Sequence, residues 1–317
     1  MKSKVIWASA LALIILSCHK EIEVPLGFLG QQPVINSLFT TNKPFKVTIG
    51  LSKMPSDTAS YIVTNATVQI MGNNGTSATL AYTGNGIYTH NALLPQQGVE
   101  YLLKVNIPGI GEATAKSSIP PSSLKVTAIE SKSGFITKPV EGTGGKPRQP
   151  VQDIILHFGQ TPAVDEFFGI DAKRYGTTYR YINDNPVELV EDMKNIVSGY
   201  LGSHDPVILS EGLDRYYVSE MLMFKDNSLT VEQASVRFYM WKETPSKYWL
   251  RFYQFSPEAF RYLKSWFIHS YTKSYDFWEV YEPHPLFSNI ENGYGIFAGY
   301  SMQVYEVYPD SITTYQP

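Results

Sequence analysis

Alternation of apolar and polar residues is the dominant pattern over residues 32–123. In 45–51 every second residue is apolar, and 100–107 shows a similar spacing. A period of two places successive side chains on opposite faces of a β-strand. Clusters rich in glycine and asparagine at 72–75 and 84–86 separate such segments and favour tight turns. Strands at roughly ten-residue spacing predict an immunoglobulin-like β-sandwich over residues 32–123.

Residues 124–317 also carry strand patterns, and we predict a larger β-rich domain there. A strand is predicted over 151–158, where β-branched and aromatic residues predominate. Residues 234–242 and 248–255 are predicted to pair with each other as a hairpin. The fold class expected for the chain is therefore mainly β, with two β domains in sequence.

One amphipathic helix is predicted over about 256–271. Ser256 is a suitable N-cap and Pro257 suits the first helical position. Residues three and four positions apart form one apolar stripe, which favours packing against a sheet over a ligand-binding role; they are Phe260, Leu263, Trp266 and Phe267. Residues 187–195 are compatible with a second, short helix.

The N-terminal segment has the pattern of a secretory signal peptide over residues 1–17. Two lysines precede an apolar run of roughly a dozen residues, which is short of the ~20 that a membrane-spanning helix needs. The stretch Ile15-Leu16-Ser17-Cys18 resembles the bacterial lipobox, in which the cysteine receives lipid. We therefore predict lipidation of Cys18, the only cysteine of the chain. An ordinary signal peptide followed by a chance cysteine is the alternative.

Residues 18–31 are predicted to form a lipidated tether that anchors a water-soluble body to a membrane. Several acyl chains on one residue give durable anchoring, since each buried methylene contributes ~0.8 kcal/mol. The charged stretch 19–23 resembles the export signal of surface-displayed lipoproteins, and a solvated linker is the alternative. The resemblance implies the outer membrane as the location, with the body facing the exterior as one of two orientations.

Composition and motifs narrow the function classes. The net charge of −3 provides no basic field for nucleic acid, and a body without cysteine excludes disulfides and thiolate sites. The sequence contains no HExxH, G-x-S-x-G or phosphate-loop motif. We therefore expect no enzymatic activity, no cofactor and no metal.

Aromatic residues make up 14% of the chain and crowd the segment that follows the predicted helix. Exposed tyrosine and tryptophan are common contact residues at binding sites. We take five residues as candidate contacts to a ligand or partner: Tyr271, Tyr275, Phe277, Trp278 and Tyr281. The alternative is that these side chains belong to a packed core.

Two C-terminal segments carry a family resemblance. Residues 248–265 combine a strand, a Ser-Pro-Glu sequence and a tyrosine-containing helix, and 289–297 read Asn-Ile-Glu-Asn-Gly-Tyr-Gly-Ile-Phe. Together with the Cys18 lipobox they resemble the Bacteroidota outer-membrane lipoprotein family catalogued as domain of unknown function forty-two forty-nine. Residues 32–123 resemble the prealbumin-like and carboxypeptidase-regulatory-like sandwiches of exported proteins. The resemblance implies a lipoprotein commonly encoded beside a TonB-dependent receptor, and it assigns no catalytic residue.

The expected function is that of a non-catalytic lipoprotein that binds ligand or assists a TonB-dependent receptor. Two alternatives remain open at this stage. One is a surface hydrolase of glycan or peptide, which requires a pair of carboxyl groups converging in a cleft. The other is a structural or adhesive surface protein, which requires no sizeable pocket.

Overall fold

The computed structural model describes residues 30–54, 57–58, 61–121, 124–137, 148–159, 166–182, 185–213, 220–225, 229, 234–241, 246–273 and 284–315, with the side chains of 179–182, 185–190 and 273 left out. Residues Gln32–Pro317 form one compact unit. The predicted signal peptide 1–17, the lipidation residue Cys18 and nearly all of the predicted tether lie outside the described residues. These three predictions therefore stay predictions.

The expectation of a mainly β chain is confirmed. The strands of the N-terminal part are β1 (Pro33–Phe39), β2 (Lys46–Leu51), β3 (Thr67–Gly72), β4 (Ser77–Gly84), β5 (Ile87–Thr89), β6 (Glu100–Ile107) and β7 (Gly111–Ser118). Those of the C-terminal part are β8 (Val126–Thr137), β9 (Arg148–Phe158), β10 (Phe167–Ile182), β11 (Asn185–Ser198), β12 (Leu201–Gly202), β13 (Leu222–Lys225), β14 (Ser235–Trp241), β15 (Tyr248–Phe255), β16 (Tyr294–Val307) and β17 (Ser311–Thr314). The helices are α1 (Pro206–Leu209) and α2 (Pro257–Lys273).

The strands form two sheets. A twelve-stranded sheet has the order β11-β10-β15-β16-β1-β2-β5-β4-β3-β6-β7, with β13 also paired to β10. A five-stranded sheet has the order β12-β14-β9-β8-β17. In the N-terminal part β4 pairs with β3 through residues 77–80 and with β5 through residues 81–84. The strands from β1 to β7 contribute the first hydrophobic core.

The first core follows directly from the alternation seen in the sequence. Its fully buried members include Val47 and Ile49 of β2, Val68 and Ile70 of β3, and Leu103 and Val105 of β6. Strand β7 is joined to the segment that precedes β16. Thr114 of β7 and Glu291 of that segment exchange two backbone hydrogen bonds, of 3.2 and 2.8 Å. Only every second residue of these strands enters the core, as a half-buried strand requires.

The second core lies between the two sheets. One wall consists of β10 and β15, with Phe168, Ile170 and Phe252 pointing inward. The other consists of β9 and β14, which contribute Leu156 and Phe238. Two sheets that bury one face each against the other form a β-sandwich.

Strand β16 belongs to both cores. Its first half pairs in parallel with β1, from Val34 opposite Tyr294 to Phe39 opposite Gly299. Its second half pairs with the antiparallel strand β15. Phe297 is buried in the first core and Val307 in the second. The division of the chain into domains 32–123 and 124–317 stays a prediction, since one strand serves both cores.

The amphipathic helix predicted at 256–271 is confirmed as α2. Phe260, Leu263 and Phe267 of the predicted stripe pack on the outer face of the twelve-stranded sheet, in a cluster that includes Phe255 and Ile296. Trp266 does not join this cluster and is 39% exposed, so its predicted place in the packed stripe is wrong. The Ser256 Oγ accepts a hydrogen bond of 3.2 Å from the Ala259 N–H, as expected for an N-cap. Within the described residues, no helix is long and apolar enough to cross a membrane.

Two local predictions are wrong. Residues 187–195 lie in strand β11 and not in a helix. The segments 234–242 and 248–255 do not form a hairpin, because β14 pairs with β9 whereas β15 pairs with β10 and β16. These two strands face each other across the second core, an arrangement that lets each bury its apolar side.

Candidate functional site

Of the residues predicted from the sequence to contact a ligand or partner, Tyr271 alone is described. It lies in the last turn of α2 and is half-buried. The other four, Tyr275, Phe277, Trp278 and Tyr281, lie outside the described residues, as does Cys18. The structure therefore does not test whether this aromatic segment is a binding site.

A groove of about 780 Å³ lies on the outer face of the five-stranded sheet. It exists because β9 and β14 alternate: Ile154 and Phe238 enter the core, and their neighbours point to the other face. Strand β8 and the turn before α1 form its sides. The residues that give the groove its chemical character are Lys132, Phe135, Asp153, His204, Arg237 and Tyr239.

An ion pair fixes two of the polar groups in the groove. The Arg237 Nε donates to both carboxylate oxygens of Asp153, at 3.0 and 3.1 Å, and a second guanidinium N–H also donates to Oδ2. Hydrogen bonding to Asp153 raises the pKa of Arg237. Arg237 keeps 64% of its side chain exposed and Asp153 keeps 27%, so the pair presents a planar polar surface to solvent.

The turn before α1 is held to β14 by Asp205. This buried carboxylate accepts a hydrogen bond of 3.0 Å from the Val207 N–H and one of 2.8 Å from the Arg237 N–H. The hydroxyl of Ser203 donates to the Arg237 carbonyl at 2.6 Å and accepts from the Asp205 N–H at 2.9 Å. These contacts make the rim of the groove a fixed part of the sheet.

Tyr239 supplies a half-buried aromatic ring to the groove. The ring lies directly over Gly202, because a Cβ at that position would come within 2.4 Å of the Tyr239 Cζ. The His204 ring lies 5.5 Å from the Tyr239 ring, centroid to centroid, with an angle of 39° between the planes. Burial raises the pKa of Tyr239. Glycine at 202 thus leaves the space that the Tyr239 ring occupies.

The described part of the chain contains no group of three or more His, Cys, Asp or Glu side chains that could hold a metal ion. The two groove carboxylates are engaged, Asp153 by Arg237 and Asp205 by two backbone N–H groups. The groove therefore presents a fixed aromatic ring and an ordered set of hydrogen-bonding groups. Such a combination suits recognition of a small ligand.

The sequence analysis missed these groove residues, although the signal is visible in hindsight. Asp153 occupies an outward position of the predicted strand 151–158, and Arg237 and Tyr239 occupy outward positions of 234–242. The three become one surface only when β14 pairs with β9, where Tyr239 lies opposite Asp153. The incorrect hairpin prediction separated them.

The two segments that carry the family resemblance join the two halves of the molecule. The Asn289 amide donates to the Phe297 carbonyl at 2.8 Å, and its Oδ1 accepts from the Phe297 N–H at 3.0 Å. The Ser117 hydroxyl of β7 donates to the Glu258 carboxylate at 3.1 Å and lies 3.2 Å from the Ser256 hydroxyl. These residues thus have structural roles and lie outside the groove.

Comparisons with known proteins place the chain in a family. No curated protein matches it. The model of the family described as domain of unknown function DUF4249 matches residues 20–306, which is most of the chain. The match covers the first hydrophobic core, all but the C-terminal end of the second, the groove and the two segments around Ser256 and Asn289. The chain therefore belongs to the DUF4249 family.

Proposed function

We propose that this protein is a non-catalytic lipoprotein of the outer membrane that captures a ligand as the accessory partner of a TonB-dependent receptor. The observation that carries the ligand-binding role is the groove built on β9 and β14. It combines the fixed ring of Tyr239 with the Asp153–Arg237 pair in a space of about 780 Å³. That volume is in the range of small-molecule sites, roughly 300–1,000 Å³.

The state of the groove carboxylates favours binding over hydrolysis. A glycoside hydrolase needs one carboxyl group to donate a proton and a second to act as base or nucleophile. Here the Asp153 carboxylate is paired with the Arg237 guanidinium, and both carboxylate oxygens of Asp205 accept hydrogen bonds from backbone N–H groups. The groove also favours ligand binding over a purely adhesive role, which would need only a flat surface.

The anchor and the partner rest on sequence evidence. The lipobox-like stretch ending at Cys18 supports attachment to a membrane through lipid. The family resemblance supports a TonB-dependent receptor as the partner, and membership of DUF4249 agrees with that resemblance. A ligand-binding body on a lipid tether would raise the concentration of ligand next to the receptor.

The experiment is affinity purification of the tagged full-length lipoprotein from detergent-solubilised membranes of the native host. We expect a β-barrel receptor of the TonB-dependent class to co-purify, and we expect mass spectrometry to find a diacylglyceryl group on Cys18. The Cys18→Ser variant is the control, because it should lose the anchor and keep the fold. Absence of any β-barrel receptor under several growth conditions would contradict the proposal.

A further inference from the structure

The charges that line the groove cancel. Of the described residues around it, Lys132 and Arg237 are basic, and Asp153 and Asp205 are acidic. A ligand with a strong net charge would therefore gain little from the groove as a whole. The Asp153 carboxylate already compensates the charge of Arg237 through a bidentate ion pair, so neither charge is left unbalanced for such a ligand.

Aromatic surface is available beside these polar groups. The Tyr239 ring packs against the backbone at Gly202 and lies beside the His204 ring, so the protein loses little side-chain entropy when a ligand packs on it. Phe135 also lines the groove with 61% of its surface exposed, and the Arg148 guanidinium lies 4.5 Å from its ring centroid. Both rings offer apolar faces within a polar frame.

We infer that the groove binds a neutral oligosaccharide. Sugars carry neighbouring hydroxyl groups that both donate and accept, which suits the planar edge presented by Arg237 and Asp153. They also carry apolar C–H faces, which suit a fixed ring such as Tyr239. The inference rests on the proposed ligand-capturing function and specifies the class of ligand.

The position of the groove argues against two other polymers. An extended peptide that extends a sheet needs an open strand edge, whereas β9 has β8 and β14 on its two sides. A nucleic acid needs an excess of basic groups, whereas the described lining residues provide two basic and two acidic side chains. The groove therefore suits a neutral ligand that lies across the face of the sheet.

The test is isothermal titration calorimetry on the purified lipoprotein in detergent micelles. The probes are neutral hexasaccharides of α- and β-linked glucose, xylose, mannose and N-acetylglucosamine, together with an anionic hexagalacturonate and an uncharged hexapeptide. We expect saturable binding of at least one neutral hexasaccharide. Binding of none of them, or binding of the hexagalacturonate or the hexapeptide alone, would overturn the inference.

Variants place the binding in the groove. We expect Tyr239→Ala to weaken affinity at least tenfold and Tyr239→Phe, which keeps the ring, to change it less than threefold. Arg237→Lys keeps the positive charge and removes the planar guanidinium, and we expect it to weaken affinity at least fivefold. Because this side chain is exposed, the variant should fold normally, so it tests the site even if Tyr239→Ala fails to fold. Tyr82→Ala, at an exposed tyrosine of β4 outside the groove, is the matched control.

Equal affinity of the wild type and both Tyr239→Ala and Arg237→Lys would overturn the assignment of the site. Failure of this inference can be distinguished from failure of the proposed function. Co-purification of a receptor without any sugar binding would overturn this inference alone. Sugar binding without a receptor would support this inference and contradict the proposed partnership.

Discussion

Gly295 fixes the course of β16 at the scale of one residue. Its backbone has a φ of +111°, and a Cβ at this position would lie 2.0 Å from the Ile35 carbonyl oxygen. Gly84 has nearly the same backbone angle, +114°, but open space around the missing side chain. Glycine is therefore required at 295 for two reasons, positive φ and close approach to β1, and at 84 for one.

This difference gives a matched pair of substitutions. Gly84→Ala should lower the free energy of unfolding by about 1–3 kcal/mol through backbone strain alone. Gly295→Ala should cost at least ~2 kcal/mol more, because the added methyl group collides with the backbone of β1. Urea denaturation of both variants measures the two losses. Equal losses would show that β1 and β16 can move apart to accommodate the added methyl group without a loss of unfolding free energy.

Tyr305 provides a second prediction at the residue scale. Burial, with a smaller contribution from Tyr315, raises the pKa of Tyr305 to about 12. The unfolded chain releases this proton near pH 10, so the folded state holds it more tightly between about pH 10 and 12. The stabilising contribution of Tyr305 is therefore complete below about pH 10 and is lost as the pH rises toward 12.

Replacement by phenylalanine isolates that contribution. The unfolding free energy of the wild type should fall more steeply than that of Tyr305→Phe as the pH rises from about 10 to 12. Other buried tyrosines with raised pKa values, such as Tyr253 and Tyr300, contribute equally to both proteins and cancel in the comparison. Urea unfolding at several alkaline pH values measures the slopes, and parallel slopes would refute the role of Tyr305.

At the scale of elements, the sequence predicts which segments are strands better than it predicts their partners. The alternation of residues 45–51 and the capped apolar stripe after Ser256 identify β2 and α2, because these signals are local. The pairing of β14 with β9 spans some eighty residues of chain and depends on burial between two sheets. A local turn signal at 243–246 could not reveal it, and the groove depends on that pairing.

The prediction of a helix at 187–195 failed for a related reason. Carboxylates such as Glu191 and Asp192 are compatible with an exposed helix, but they also suit the outer strand of a sheet. Strand β10 supplies a partner for β11 on both sides of a bulge at 193–195, and this tertiary contact overrides the weak local preference.

Strands β10 and β15 are joined by a largely buried ion pair on the face opposite the second core. Asp171 lies directly opposite Arg251, whose Nε donates to Oδ1 at 2.6 Å while another guanidinium N–H donates to Oδ2. The Tyr253 hydroxyl also donates to Oδ2, at 3.2 Å. The Asp171 side chain is 9% exposed and that of Arg251 30%, so the two charges depend on each other.

Removal of one partner should therefore cost more than removal of both. Asp171→Leu leaves a partly buried guanidinium unpaired, and we expect a loss of about 2–4 kcal/mol in unfolding free energy. The double variant Asp171→Leu with Arg251→Met should recover at least ~1 kcal/mol of that loss.

Glu112→Gln is the control, since the Lys104–Glu112 pair is exposed and should contribute under about 1 kcal/mol. Chemical denaturation of the four proteins measures these differences. If the double variant is no more stable than Asp171→Leu, the uncompensated charge is not the source of the loss.

At the scale of the whole molecule, β16 makes the two cores depend on each other. Phe297 is fully buried in the first core, and the same strand ends in the second core at Val307. If the first core unfolds, the parallel pairing of β1 with the first half of β16 is lost, and that half of β16 no longer has β1 as its partner. We therefore expect the two cores to unfold in one cooperative transition.

The distribution of tryptophan allows a direct test of this coupling. Apart from Trp7 in the predicted signal peptide, the other four tryptophans of the chain all lie at or beyond residue 241. Tryptophan fluorescence of the processed protein therefore reports on the second core and its surroundings and has no probe in residues 32–123. Leu103 is fully buried in the first core, and Leu103→Ala should cost about 2–5 kcal/mol.

If the cores unfold together, Leu103→Ala lowers the urea midpoint seen by fluorescence by the same amount as the midpoint seen by far-UV circular dichroism. Thr79→Ala, at an exposed position of β4, should leave both midpoints nearly unchanged. A fluorescence midpoint that stays at the wild-type value, with a second transition in the circular dichroism, would mean that each core unfolds alone. Strand β16 would then connect the two cores without transmitting stability between them.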